Sequence, residues 1–257
     1  MSDFFLISES DKKWCSENNV KITFPGQADY PSAFLNLSYR PAVLFYVGSP
    51  VWMTHLLISV VGSRSPQISS VNWLEKLLSE TLEKYNLGIV SGGAYGIDQK
   101  AHQMALRKER PTAVFLPSGL RNLYPSQLQE WVNPIVSSGG CFVSQFLPSQ
   151  IMQKRYFRER NRLIAALSPV TLVVECRRRS GTLLTAKFAL EFERKVRVMP
   201  TFPGESGMGG LDLLCETPAQ PIRDMMDLEL AFNHSPELMG SKCQKDYICC
   251  PRGNGGV

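Results

Sequence analysis

Val60-Val61-Gly62-Ser63-Arg64, Val90-Ser91-Gly92-Gly93-Ala94-Tyr95-Gly96-Ile97-Asp98, and Val173-Val174-Glu175 running on to Ser180-Gly181-Thr182 repeat one device within residues 57–200. In each, a hydrophobic strand runs directly into a small-residue turn that opens a helix. Backbone N–H groups are then left free at one rim, and such a rim binds phosphate. In parallel α/β sheets ligands sit outside the carboxyl ends of the strands. Three such turns, two with arginine beside them, predict an anion-binding crevice there.

Working outward, the pattern alternates. Hydrophobic runs predict strands at 57–61, 87–91, 112–117, 141–144, 170–174 and 196–199, with helices near 69–85, 97–107, 126–137, 158–167 and 183–193 between them. Val71, Leu74, Leu78, Leu82 and Tyr85 recur at three- and four-residue steps as one buried stripe, and Ile97, Ala101 and Met104 turn inward from the next helix. Strands alternating with helices argue for an α/β fold, a mostly parallel sheet with helices on both faces. Residues 1–55 read as a preamble, with a short strand at 42–47, that packs on a main domain at 56–224. After Pro200, Gly204, Gly207, Gly209 and Gly210 predict a flexible loop, Leu211–Leu214 a short apolar element, and Met225–Phe232 one helix within a partly disordered tail at 225–257.

Composition excludes several classes. With 257 residues, 44% hydrophobic and 20% charged, disorder is not the default. The net charge is only +5, but residues 151–200 hold a surplus of +8, so the rest of the chain sums to −3. Basic charge concentrated in one segment favours a nucleic-acid or nucleotide partner. Seven cysteines form no CxxC pair, no signal peptide is evident, and no apolar run approaches the ~20 residues that span a bilayer. A cytoplasmic protein with no membrane partner is expected. His234, Cys243, Cys249 and Cys250 fit no standard zinc spacing, and no metal site is expected.

GxGxxG is absent from the first turn, which argues against a dinucleotide, and no cofactor is expected. Gly92-Gly93-Ala94 would let backbone approach a ligand closely, while Asp98 and His102 read as local helix and packing residues. In Tyr156-Phe157-Arg158-Glu159-Arg160-Asn161-Arg162, Arg158 and Arg162 lie four apart and share a helix face. Phe157 supplies a ring on which a base could stack, and guanidinium forks match phosphate. Ser180-Gly181-Thr182 and Lys187 return to the same rim.

Together these motifs resemble the DNA-processing protein A family (DprA, also called Smf). The resemblance rests on Val61-Gly62-Ser63-Arg64, on Val90 to Ala94 with Gly96-Ile97-Asp98 and Ala101-His102, and on Leu123-Tyr124-Pro125. Phe157 with Arg160-Asn161-Arg162-Leu163-Ile164, and Val174-Glu175 with Ser180 to Ala186, complete it in the family's order over about residues 30–215. It implies an extended Rossmann-like fold, a homodimer, binding of single-stranded DNA, and loading of the RecA recombinase onto it during natural transformation and recombination. Carried over, Arg64 would be the basic residue of the pocket with Arg160 and Arg162 as neighbours. Gly62, Ser63, Gly92, Gly93 and Gly181 would form the backbone cradle, and Lys154 the basic approach. Phe157, Arg158, Asn161, Ser180 and Thr182 complete the expected DNA-binding set. Many members carry further helical and winged-helix modules, for which this chain is expected to have no room.

Two alternatives use the same crevice. A phosphoribohydrolase of the lysine-decarboxylase-like group resembles the chain in its late glycine turn, but Thr185 stands where that group's glutamate would be expected. Without that carboxylate no catalytic residue is evident, so no enzyme is expected; Glu175, expected to form ion pairs with Arg177–Arg179, is the one substitute. A nucleotide sensor would need the same cradle without the extended basic segment.

Overall fold

The computed structural model describes residues 7–201, 204 and 206–233. In chain order the elements are α1 (Glu9–Glu17), β1 (Lys21–Thr23), β2 (Leu44–Gly48), β3 (Leu56–Gly62), α2 (Ile68–Lys84), β4 (Leu87–Ser91), α3 (Ile97–Arg107), β5 (Thr112–Phe115), α4 (Val132–Ser137), β6 (Cys141–Ser144), α5 (Lys154–Leu167), β7 (Val170–Val174), α6 (Gly181–Glu191), β8 (Lys195–Val198), α7 (Met208–Glu216), β9 (Gln220–Pro221) and α8 (Met225–Asn233).

Among the described residues, nine strands form one sheet in the order β1-β2-β6-β5-β4-β3-β7-β8-β9. The pairs from β6 through to β9 are parallel, whereas β1 and β2 join antiparallel at one edge. Leu57 through Val61 are buried throughout, as expected of a strand covered on both faces. From β3 the chain winds outward through β4, β5 and β6, then returns so that β7 pairs with the other side of β3, Gly62 opposite Val174. This reversal of strand order is the place where open α/β sheets leave a crevice at the carboxyl ends. It defines a Rossmann-like fold.

Helices α5 and α6 cover one face, around Leu163, Ile164, Ala186 and Phe188. On the other, α2, α3 and α8 bury Leu74, Leu78, Leu82, Ile97, Ala101, Leu228 and Phe232. Helix α1 and the segment at Leu128–Ile135 close the β6 end. Residues 7–55 therefore add a helix and the antiparallel pair β1-β2, with β1 at the edge, to the main sheet, and α8 packs on the same core; residues 234–257 lie outside the described residues.

Three local expectations differ from what forms. Helix α5 begins four residues earlier than 158, which brings Lys154 into it. The segment at 126–137 starts as a 3-10 helix, Ser126–Trp131, before α4. Gly209 and Gly210 lie inside α7 instead of a loop, because α7 seats against the chain after β7. A Cβ on Gly209 would stand 2.5 Å from the Arg177 carbonyl oxygen, and Gly210 N–H donates to the Cys176 carbonyl at 3.1 Å. That close approach offsets the roughly 1 kcal/mol cost of a helical glycine.

A pocket at the switch point

Pocket walls come from the turn after β3, the turn after β4, the inner face of α5 and the loop from β7 into α6. They enclose a cleft of about 370 Å³. Gly62 permits the convergence: a Cβ there would stand 2.2 Å from the Val174 carbonyl and 2.6 Å from the Ile97 side chain. Ser63 N–H donates to the Val174 carbonyl at 3.2 Å, Ser63 carbonyl accepts from Ile97 N–H at 3.1 Å, and Thr182 Oγ1 donates to the Gly62 carbonyl at 2.8 Å. The first turn is thus stitched into the fold, and Ser63 N–H is already used. The first turn of α6 also faces the pocket. Ser180 Oγ caps it by accepting from Leu183 N–H at 3.1 Å, while Gly181 and Thr182 N–H have no intrahelical acceptor in such a turn.

Arg160 dominates the floor. It is 4% exposed, its Nη1 lies 4.0 Å from Asp98 Oδ2, and it donates to the Phe115 carbonyl at 3.4 Å, while Nε has no hydrogen-bond partner among the described residues. Burial, with Arg64 adding repulsion, lowers its pKa to about 10 against the opposing pull of Asp98. Burial likewise raises the Asp98 pKa, opposed by Arg160 and by hydrogen bonds from backbone N–H groups, Gly92 N–H among them at 3.2 Å. Asp98 therefore does more than favour a helix start. The glycine turn serves this pair: a Cβ on Gly92 would fall 1.1 Å from Arg160 Nη1. Gly93, at φ +67°, turns the chain and packs on Leu128, away from the pocket.

Arg64 is exposed at the mouth, its guanidinium 5.3 Å from the Phe157 ring centre, and Arg177 also lines the cleft. Asn161 Nδ2 donates to the Gly181 carbonyl at 3.2 Å and ties α5 to α6. Gly62, Ser63, Arg64, Phe157, Arg160, Asn161, Ser180, Gly181 and Thr182 thus converge, with Gly92 behind Arg160. Lys154, Arg158 and Arg162 do not line the pocket. Lys154 is exposed at the start of α5, and Arg158 and Arg162 lie over Phe188 on α6, their guanidinium groups 5.3 and 5.9 Å from its ring centre.

Glu175 makes no ion pair with Arg177–Arg179 among the described residues. At φ +56° its side chain turns back to the N-terminus of α2, where Oε2 accepts from Gln67 N–H and Ser70 Oγ, both at 2.8 Å. A carboxylate there complements the helix dipole. Arg178 instead forms a two-pronged pair with Asp212 of α7, at 2.6 and 2.7 Å. No cluster of three or more His, Cys, Asp or Glu able to hold a metal occurs among the described residues, and His234, Cys243, Cys249 and Cys250 lie outside them. No described helix is long and apolar enough to cross a membrane.

Behind the floor, His102 Nδ1 sits 2.7 Å from Thr112 Oγ1, whose proton goes to the Ile89 carbonyl. The imidazole must donate from Nδ1, leaving Nε2 without a hydrogen-bond partner among the described residues. Protonation would bury a charge, and burial, helped by Arg160, pushes the pKa down to about 3. A group depressed in the folded state contributes stability above its unfolded pKa and loses it as pH falls. Urea denaturation should therefore show stability falling by about 2 kcal/mol between pH 6.5 and 5, since each unit costs about 1.4 kcal/mol. His102→Gln should flatten that limb; an unchanged pH profile would refute the buried neutral histidine.

A Rossmann-like domain with an arginine-floored pocket at its switch point is the class that fold and site define. The model for the DNA recombination-mediator protein A family matches residues 21–233, and the chain belongs to that family. The Smf protein of Synechocystis is 34% identical over 95% of this chain and 61% of its own length. DNA processing protein A of Streptococcus pneumoniae has a solved structure with TM-score 0.77, 28% identity, and coverage of 88% of this chain and 79% of that one. The DNA processing protein A structure from Helicobacter pylori, described for its single-stranded DNA binding mode, superposes with TM-score 0.74 at 28% identity, covering 85% and 97%. The chain spans about three fifths of the length of most curated relatives it matches.

Proposed function

We propose that the chain binds single-stranded DNA, with a backbone phosphate in the switch-point pocket, and acts in recombination by presenting that strand to a RecA-type recombinase. One observation carries the reading: Arg64, Arg160 and Arg177 converge with the open first turn of α6 on one cleft, in a chain whose Helicobacter relative is described binding single-stranded DNA. Arg64 and Arg177 supply reachable charge, α6 supplies N–H donors, and buried Arg160 sets the potential of the floor. Lys154, Arg158 and Arg162 would serve the strand beyond the pocket along α5. Domain 56–224 would carry the site, with 1–55 and α8 as packed additions.

Arg64→Ala tests the pocket. Loss of a charge-assisted contact worth about 1.5–3 kcal/mol should weaken single-stranded oligonucleotide binding at least tenfold. It should also lower the slope of log affinity against log salt by about 0.7. A folded Arg64→Ala protein with unchanged affinity and slope would move the site elsewhere. The nucleotide-hydrolase reading would gain only if free base were released from nucleoside monophosphates at a rate abolished by Glu175→Gln.

A homodimer is part of the same proposal. Among apolar residues of the late segment that would supply its interface, Leu213 and Ile222 are buried in the core, Leu214 and Met225 are half-buried, and Leu211 is exposed. Leu211 on α7 is the remaining anchor, and Leu211→Glu should shift the light-scattering mass toward a monomer; a monomeric wild-type protein would remove the dimer from the proposal.

A further inference from the structure

Two tyrosines stand at the pocket mouth whose side chains the binding reading does not use. Tyr95 belongs to the turn between β4 and α3 and is 47% exposed; Tyr124 follows β5 and is 38% exposed. Both line a small annex that opens beside Arg64 and Phe157. Tyr124 meets Phe157 edge to face, with ring centres 5.7 Å apart and planes at 87°. Tyr95 Oη donates to Gln127 Oε1 at 2.6 Å, which steadies its ring.

Phe157 itself is occupied. The guanidinium groups of Arg64 and Arg160 lie 5.3 and 5.8 Å from its ring centre, so a base stacking there competes with two cations. Aromatic surface open to solvent belongs to Tyr95 and Tyr124, on the β4–β5 side of the phosphate pocket. Aromatic faces beside a basic groove hold single strands by base stacking, with little regard to sequence.

We propose that Tyr95 and Tyr124 form a stacking ledge for the nucleobases immediately outside the phosphate pocket. This inference rests on the single-stranded DNA reading. The ledge makes no phosphate contact, so it adds affinity without adding salt dependence, which separates it from every arginine of the site. Bases lie against the ledge while the backbone stays with Arg64.

The test compares a thymine oligonucleotide of about 20 residues with an abasic strand of the same length, by fluorescence anisotropy across a salt series. Tyr124→Ala should weaken binding of the thymine strand roughly fivefold to a hundredfold, with an unchanged salt slope and nearly unchanged affinity for the abasic strand. Tyr124→Phe should bind both strands as wild type does. If Tyr124→Ala binds the thymine strand at wild-type affinity while Arg64→Ala weakens it, the ledge is wrong and the pocket stands. Equal weakening on both strands would make Tyr124 a brace for Phe157 and also overturn the ledge. Should wild type bind neither strand, the ledge and the underlying reading fall together. If Tyr124→Ala does not fold, Tyr95→Ala, on the more exposed ring, carries the same comparison.

Discussion

Gly92→Ala is expected to drive the Arg160 guanidinium out of the pocket floor. The added methyl would fall 1.1 Å from Nη1 and 2.3 Å from Cζ, so the flexible end of the Arg160 side chain must swing away into the cleft that it floors. Expulsion separates Arg160 from Asp98 and leaves a buried carboxylate, a loss of about 3 kcal/mol. In denaturant titrations the midpoint should fall with little change in slope. Combining Gly92→Ala with Asp98→Ala should be clearly less than additive, because the second change removes the group that the first strands. Wild-type stability in Gly92→Ala would mean that Arg160 has another equally good position, and the account of this turn would fail.

Asp98→Ala is the second large effect. It leaves a buried guanidinium whose Nε already lacks a hydrogen-bond partner among the described residues and removes the acceptor of Gly92 N–H. Removing one member of a buried pair costs about 3–5 kcal/mol, whereas exchanging both for apolar residues is often nearly neutral. Asp98→Leu with Arg160→Leu should therefore recover much of the stability lost in Asp98→Ala, yet should not recover DNA binding, since the floor has lost its charge. If the double variant binds the oligonucleotide as wild type does, Arg160 is structural only. Measuring stability and binding on the same variants separates the two roles.

Most of the sheet was legible because each of its central strands is a buried hydrophobic run bounded by a small-residue turn. Strands β4, β6 and β7 coincide with the expected ranges, and α3 does so to the residue. Short edge elements were not. β1 has three residues and β9 two, too few to carry a period, whereas an extra helix before β2 was expected without its bounds. The glycines of α7 read as a loop because the carbonyls that they approach come from a distant part of the chain.

Within the site, convergence was legible and depth was not. Arg160 and Arg162 were read together as neighbours of Arg64 with no difference in depth, although Tyr156, Leu163, Ile164 and Leu167 recur on the helix face of Arg160 and place it on the buried stripe. That periodicity could have put Arg160 indoors and Arg158 and Arg162 outside the pocket. Its need for Asp98, and hence for glycine at position 92, depends on a contact 62 residues distant in the chain. Glu175 was misread for the same reason: its partners on α2 lie more than 100 residues earlier.

The pairing of β3 with β7 also sets an order on synthesis. Strand β3 leaves the ribosome early, but its second neighbour and the carboxylate that caps α2 arrive only with residues 170–175. Until then the nascent chain carries a hydrophobic strand, Leu57 to Val61, with one edge unpaired, the kind of edge that recruits other chains. The polar residues that finish the pocket come from the same late segment. Ligand competence and protection from aggregation should therefore be acquired in a single step, when β7 docks, and a chain released before that point would be both inactive and adhesive.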